Sequence, residues 1–130
     1  AAGTSNIDFR PQKVVYDVSV VDVEELVSVL DRASYLGTIT GAAPFERYFV
    51  TVSHGEEIQF FTLKNSDRYA ALMTRARSLV ESDVIRPRVQ GRARSYSYAP
   101  KDTHDFVQMI PMGDAEIIRL QNEEDHAYMR

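Results

Sequence analysis

Three short segments pair a chemically capable side chain with a glycine directly after an apolar run: Val52-Ser53-His54-Gly55, Val89-Gln90-Gly91 and Ile110-Pro111-Met112-Gly113. A histidine beside glycine at the end of a strand can bind an anion, a metal or a proton near neutral pH. It can equally fix the shape of its own loop by hydrogen bonding. Gln90 offers both a donor and an acceptor to a small polar ligand, or it fills space. With Tyr96 nearby in sequence, the pocket candidates are His54, Gly55, Gln90, Gly91, Tyr96, Pro111, Met112 and Gly113.

A second group is basic. Arg86 and Arg88, two apart on a strand, share one face, and Arg92 and Arg94 follow. Such a cluster could take sulfate, thiosulfate or an acidic partner patch, although a solvated face or ion pairs at a subunit interface would look the same. Metal chemistry is a weak prospect. His54, His104 and His126 are scattered, with no pair spaced three or four apart; His104, two residues after Asp102 and just before Asp105, could join the other two, and His54 and His104 are the candidates. A non-covalent haem could use a histidine with Met109, Met112, Tyr96 and Tyr98, but no attachment cysteine exists. No metal or haem is expected from the pattern. A hydrolase triad of Ser53, His54 and Asp22 is disfavoured, because adjacent serine and histidine side chains diverge and the glycine pattern of a nucleophile elbow is missing.

The elements that must position these residues follow from composition and periodicity. At 130 residues the chain is long enough for one core: an N-terminal arm over residues 1–12 and a single α/β domain over 13–130. A hydrophobic content of 44% with 26% charged residues is that of a globular protein. A net charge of -4 gives no general attraction to nucleic acid, and no apolar run approaches the roughly 20 residues needed to span a bilayer. The start at Ala1-Ala2-Gly3, without methionine, fits a periplasmic product of signal cleavage and equally a trimmed cytoplasmic chain. With no cysteine, disulfides, thiolate metal sites and cysteine-based catalysis are excluded; other activities remain open.

Lys13 to Val21 is rich in β-branched residues, as a strand covered on both faces would be. Asp22 caps a helix, with Glu25 three residues on, and Val23, Leu26, Val27, Leu30, Ala33 and Gly37 keep the helical period. Gly37 to Pro44 reads as a loop. Arg47 to Val52 is a second strand, Asn65 or Ser66 caps a second helix through Val80, and Val84 to Val89 is a third strand that Pro87 makes either an edge or a short one. The spacing predicts a fourth strand at Val107 to Ile110 and a helix capped by Asp114, with Ala115, Ile117, Ile118 and Leu120 inward and Glu116, Arg119 and Glu123 wet. Alternation of this kind implies a mostly parallel sheet between helical layers. Ligands collect outside the carboxyl ends of such strands, so the three glycine-marked ends should converge on one pocket.

The opening Lys13-Val14-Val15-Tyr16, Leu30-Asp31-Arg32-Ala33, the strand end at Val52 to Gly55 and the closing run from Ile110-Pro111-Met112-Gly113 to Leu120-Gln121 resemble the DsrE/DsrF-like sulfur-relay proteins. The resemblance spans about Lys13 to Met129. It implies a three-layer α/β/α fold, a flavodoxin-like variant of the DsrEFH type, assembled as a homotrimer or hexamer. Many such proteins carry sulfane sulfur on a cysteine after the third strand. The matching position here is Gln90, and a carboxamide cannot hold a persulfide. The expectation is therefore a non-catalytic, oligomeric DsrE-like protein that binds a small molecule or protein partner in sulfur-related or redox metabolism. The alternatives are a carrier whose cysteine has been replaced by Gln90, or a histidine-based metal or haem protein.

Overall fold

The computed structural model describes residue 3 and residues 6–43 and 47–130. Among the described residues there are seven strands and three α-helices, in the order β1 (Val14–Val18), α1 (Val23–Ile39), β2 (Phe49–Ser53), α2 (Ala70–Glu81), β3 (Arg86–Gln90), β4 (Arg92–Ala93), β5 (Tyr96–Ser97), β6 (Gln108–Ile110), α3 (Gly113–Glu123) and β7 (Ala127–Met129). Five strands form one parallel sheet in the order β6-β3-β2-β1-β7, and β4 with β5 makes a separate antiparallel hairpin. This is the three-layer α/β/α fold expected from the sequence.

The layers follow from the alternation of side chains along each strand. Val14, Tyr16 and Val18 join Phe49, Leu26, Leu30, Ala33, Leu72, Met73 and Ala76 in one cluster beneath α1 and α2. Val15, Val50 and Val52 point the other way, onto Ile110, Ile117 and Leu120 under α3. Each fully buried aliphatic side chain contributes about 1.5 to 3 kcal/mol, so both faces of β1 and β2 are committed to the core.

The chain winds outward from β1 through β2 and β3 to β6, then returns over the opposite face by α3 to β7 on the other side of β1. The winding therefore reverses between β1 and β7. Crevices at such reversals, outside the carboxyl ends of the strands, are where ligands bind in open α/β sheets. No strand was expected at β7. Asp125 turns the chain out of α3 at φ 55, and Ala127 N–H donates to Lys13 O at 2.8 Å to start the ladder.

Several boundaries differ from the sequence expectation for local reasons. Gly37 lies inside α1, as its place in the helical period predicts, so the loop expected from Gly37 starts later; Arg47 crosses at this glycine, where a Cβ would stand 3.1 Å from its Nε. Pro44 of the expected loop falls outside the described residues, as do Ala1, Ala2, Thr4 and Ser5 of the arm. Residues 6–12 are exposed and without regular structure. The second helix begins at Ala70, since Asn65 spends its amide on Gln59 O and Thr62 Oγ1 in the preceding turn. β3 is an interior strand despite Pro87; β6 starts to pair only at Arg88, so the missing N–H faces no ladder on that side. Glu116 is buried and Ile118 exposed, the reverse of the expected helix face, because Glu116 turns in toward Arg88. Asp114 is not the cap of α3, which begins one residue earlier.

Candidate functional site

The carboxyl edge of the sheet has an open half and a closed half. In the open half, Asp17 lies opposite Val52 in the β1–β2 register, so His54, two residues on, emerges on the same face one step diagonally. His54 Nε2 meets Asp17 Oδ1 at 2.5 Å. From the other side Tyr128 of β7 donates its hydroxyl to Asp17 Oδ2. Burial works to raise the Asp17 pKa, but the hydrogen bonds from His54 and Tyr128, with the charges of His54 and Arg130, outweigh it and hold the carboxyl below its usual value. The same bond raises the Tyr128 phenol.

These three side chains line a cleft of about 580 Å³ together with Ser19, Arg32 and Arg130. Arg32 lies over the Tyr16 ring, 5.6 Å from its centroid. The cleft therefore holds a histidine–carboxylate pair, two guanidinium groups and, at its rim, the Glu25 carboxylate, which accepts from Val21 N–H, at the reversal of the winding.

Beneath it Glu57 is fully buried. It sits on a 3₁₀ turn, Glu56–Phe61, and its carboxylate accepts three backbone N–H groups: His54 and Gly55 at 3.0 Å each, and Val20 at 3.3 Å. It ties the loop after β1 to the loop after β2. Burial raises its pKa, opposed by the N–H groups of Gly55, Glu57 and Val20 and by the charge of His54. Gly55 is required here, because a Cβ would come within 2.7 Å of Glu57 Oε2.

The closed half contains most of the expected pocket. Gln90 Oε1 accepts from Gly113 N–H at 2.8 Å, and its amide donates to Arg92 O at 2.6 Å. One side chain thus satisfies an orphan donor at the head of α3 and pins the hairpin. Tyr96 donates to Gly55 O at 2.9 Å and stacks on Tyr98, whose backbone N–H donates to Gly91 O at 2.7 Å. Gly113 abuts His54, where a Cβ would stand 2.7 Å from His54 Cβ. His54, Gly55, Gln90, Gly91, Tyr96 and Gly113 are therefore brought together, but of these only His54 lines the cleft. Pro111 and Met112 face a separate shallow depression beside Glu116 and Arg119.

The arginines do not gather. Arg86, at the start of β3, donates to Arg47 O and lies over Tyr48. Arg88 faces Glu116 at 3.5 Å, and Glu116 also binds Arg119. Arg92 and Arg94 are exposed on or beside the hairpin at the far end of that strand. His104 packs on Phe106, where burial lowers its pKa. His126 is buried, with Nδ1 on Glu124 O. Among the described residues no group of three or more histidine, aspartate or glutamate side chains could hold a metal ion. Of the residues considered for haem, Tyr96 and Tyr98 stack on each other, Met109 packs at Gly91 and Met112 is exposed.

Asp17, Glu57, Arg32, Tyr128 and Arg130 are absent from the sequence candidates. Asp17 had a signal: a lone carboxylate inside Val14-Val15-Tyr16-Asp17-Val18 must find a partner or stay unburied. Tyr128 and Arg130 had none, because three residues of strand are too short to show a period.

No family model matches the chain, and no curated protein does. Among solved structures, one described as a protein of unknown function, MTH1491 from Methanobacterium thermoautotrophicum, superposes with a TM-score of 0.73. The match covers 92% of this chain and 98% of that one at 17% identity. The likeness is one of fold.

Proposed function

We propose that this protein binds a small organic or inorganic anion in the cleft between β1 and β7. The observation that carries this reading is the pairing of Arg32 and Arg130 with the Asp17–His54–Tyr128 cluster around one cavity. Guanidinium groups recognise carboxylate, sulfate and phosphate by charge-assisted hydrogen bonds. The DsrE-like resemblance gives the setting: an oligomeric binding protein in sulfur-related or redox metabolism, with Gln90 in place of a sulfur-carrying thiol. The hydrogen bonds of Gln90 to Gly113 and Arg92 support a structural role at that position. The apolar side chains of Met112 and Ile118, exposed along α3, favour self-association.

The test is thermal unfolding in inorganic phosphate, sulfate and succinate against chloride at equal ionic strength. A ligand that binds only the folded protein raises its Tm by mass action. At least one of these anions is expected to raise Tm, and Arg130→Ala to abolish the rise. Identical transitions in all four salts would remove the anion reading. Native mass spectrometry of the same sample reads the subunit number, expected to be three or six.

A further inference from the structure

We propose that His54 is a general base that activates water to hydrolyse a small ester carrying a free carboxylate, with Asp17 as its positioning residue. The inference rests on the anion-binding reading and adds chemistry to the same cleft.

The edges of the imidazole assign the roles. Nε2 is taken by Asp17 at 2.5 Å, and Gly113 crowds the Cβ–Cγ–Cδ2 edge. The edge left is Nδ1–Cε1, and the ring's one hydrogen bond among the described residues is made by Nε2. A carboxylate on one ring nitrogen holds the proton there and leaves the other basic, as in acyl-transfer enzymes. The Asp17 carboxylate is itself fixed by Tyr128 at its second oxygen, and the His54 backbone is anchored by Glu57. The base is therefore held from three directions.

The nucleophile must come from solvent. Ser53, adjacent in sequence, is buried and alternates onto the opposite face of the sheet from Asp17 and His54. Asp22 is occupied as the cap of α1, accepting from Glu25 N–H at 2.9 Å. Among the described residues no serine, threonine or lysine side chain is hydrogen-bonded to His54. Both His54 and Asp17 keep about a quarter of their side chains exposed, 24% and 23%, so water reaches the pair.

The reaction balances with water as the only co-reactant. Nδ1 of His54 takes a proton as the water oxygen bonds to the acyl carbon, and the carbonyl pair moves onto oxygen. The tetrahedral intermediate then reforms the carbonyl, the ester C–O bond breaks, and the departing alkoxide receives the proton from His54. Arg32 and Arg130 hold the substrate's distal carboxylate. An acid and an alcohol leave.

The experiment compares the full chain on p-nitrophenyl hydrogen succinate, which is anionic, and p-nitrophenyl acetate, which is neutral, following nitrophenolate release in excess of the protein-free rate, which the succinate ester's own carboxylate raises by intramolecular attack. The anionic ester should be favoured in kcat/KM by about tenfold or more, the worth of one charge-assisted contact. His54→Gln should lower its hydrolysis by about a hundredfold. Arg130→Ala should remove the preference by raising KM. Asp17→Asn should lower kcat, leave KM unchanged and alter the pH profile, which a purely structural residue would not do. Hydrolysis that survives in a folded His54→Gln protein, or an equal rate on both esters, overturns the proposal. Succinate that raises Tm while neither ester is cleaved overturns the catalysis alone. Failure of both overturns the binding reading as well.

Discussion

The two halves of the sheet's carboxyl edge use similar residue types to opposite ends. On the β3–β6 side, Gln90 and Tyr96 direct their polar atoms at backbone groups: Gln90 at Arg92 and at Gly113 of α3, Tyr96 at Gly55 in the loop after β2. On the β1–β7 side, Asp17, His54 and Tyr128 direct theirs at one another, and the guanidinium groups of Arg32 and Arg130 line the space beside them. Polar side chains that complete a loop close a site; polar side chains that complete each other leave the loop's geometry to something else. Here that something is Glu57, which carries three N–H donors from beneath.

The largest way to break the contrast is therefore to remove Glu57. Glu57→Ala strands three backbone donors in a buried setting and leaves a cavity, and it should cost about 3 to 5 kcal/mol in denaturant unfolding. It should also abolish anion binding, since the loops bearing Ser19 and His54 lose their common anchor. A loss below about 1 kcal/mol would mean that the open half is organised by its own side chains after all.

Gln90→Ala probes the closed half and should be milder. Removing a side chain that caps a helix N–H costs about 0.5 to 2 kcal/mol. The anion-induced rise in Tm should survive, because Gln90 does not line the cleft. Loss of that rise would show that the two halves are coupled through Gly113 and His54.

How much of this was legible depends on the length of pattern each element offers. α1 announced itself through Asp22, which does cap it, and through a stripe from Leu26 to Ala33 that is buried. The parallel sheet followed from alternation of strands with helices. His54 and Gly113 were marked by their strand-end glycine settings and do meet. The centre of the site was misplaced toward Gln90 because β7 was invisible: three exposed residues after Asn122-Glu123-Glu124-Asp125-His126 carry no period, and only pairing with β1 makes them a strand. Without β7 there is no reversal of winding beside β1, and Asp17 has no second partner. Glu57 was hidden for a related reason. Its burial depends on N–H groups from two loops far apart in sequence, Val20 and His54-Gly55, which no local pattern encodes.

The smallest expected effect is one of slope, and it separates the two carboxylates by pH. The Asp17 pKa is lowered in the folded protein, so the fold binds that proton less readily than the unfolded chain. Its contribution is present above the ordinary aspartate value and is lost as pH falls through the folded value. Glu57 has the opposite sign. Its pKa is raised by burial, so its contribution is present below the ordinary glutamate value and declines as pH rises through the folded one. Denaturant titrations of Asp17→Asn across the acid range should therefore lose part of the fall in stability below about pH 4. Those of Glu57→Gln should lose a decline that lies above about pH 4.5. If Asp17→Asn leaves the acid limb unchanged, the hydrogen bonds from His54 and Tyr128 do not hold the carboxylate in solution, and the open half is less ordered than its partners imply.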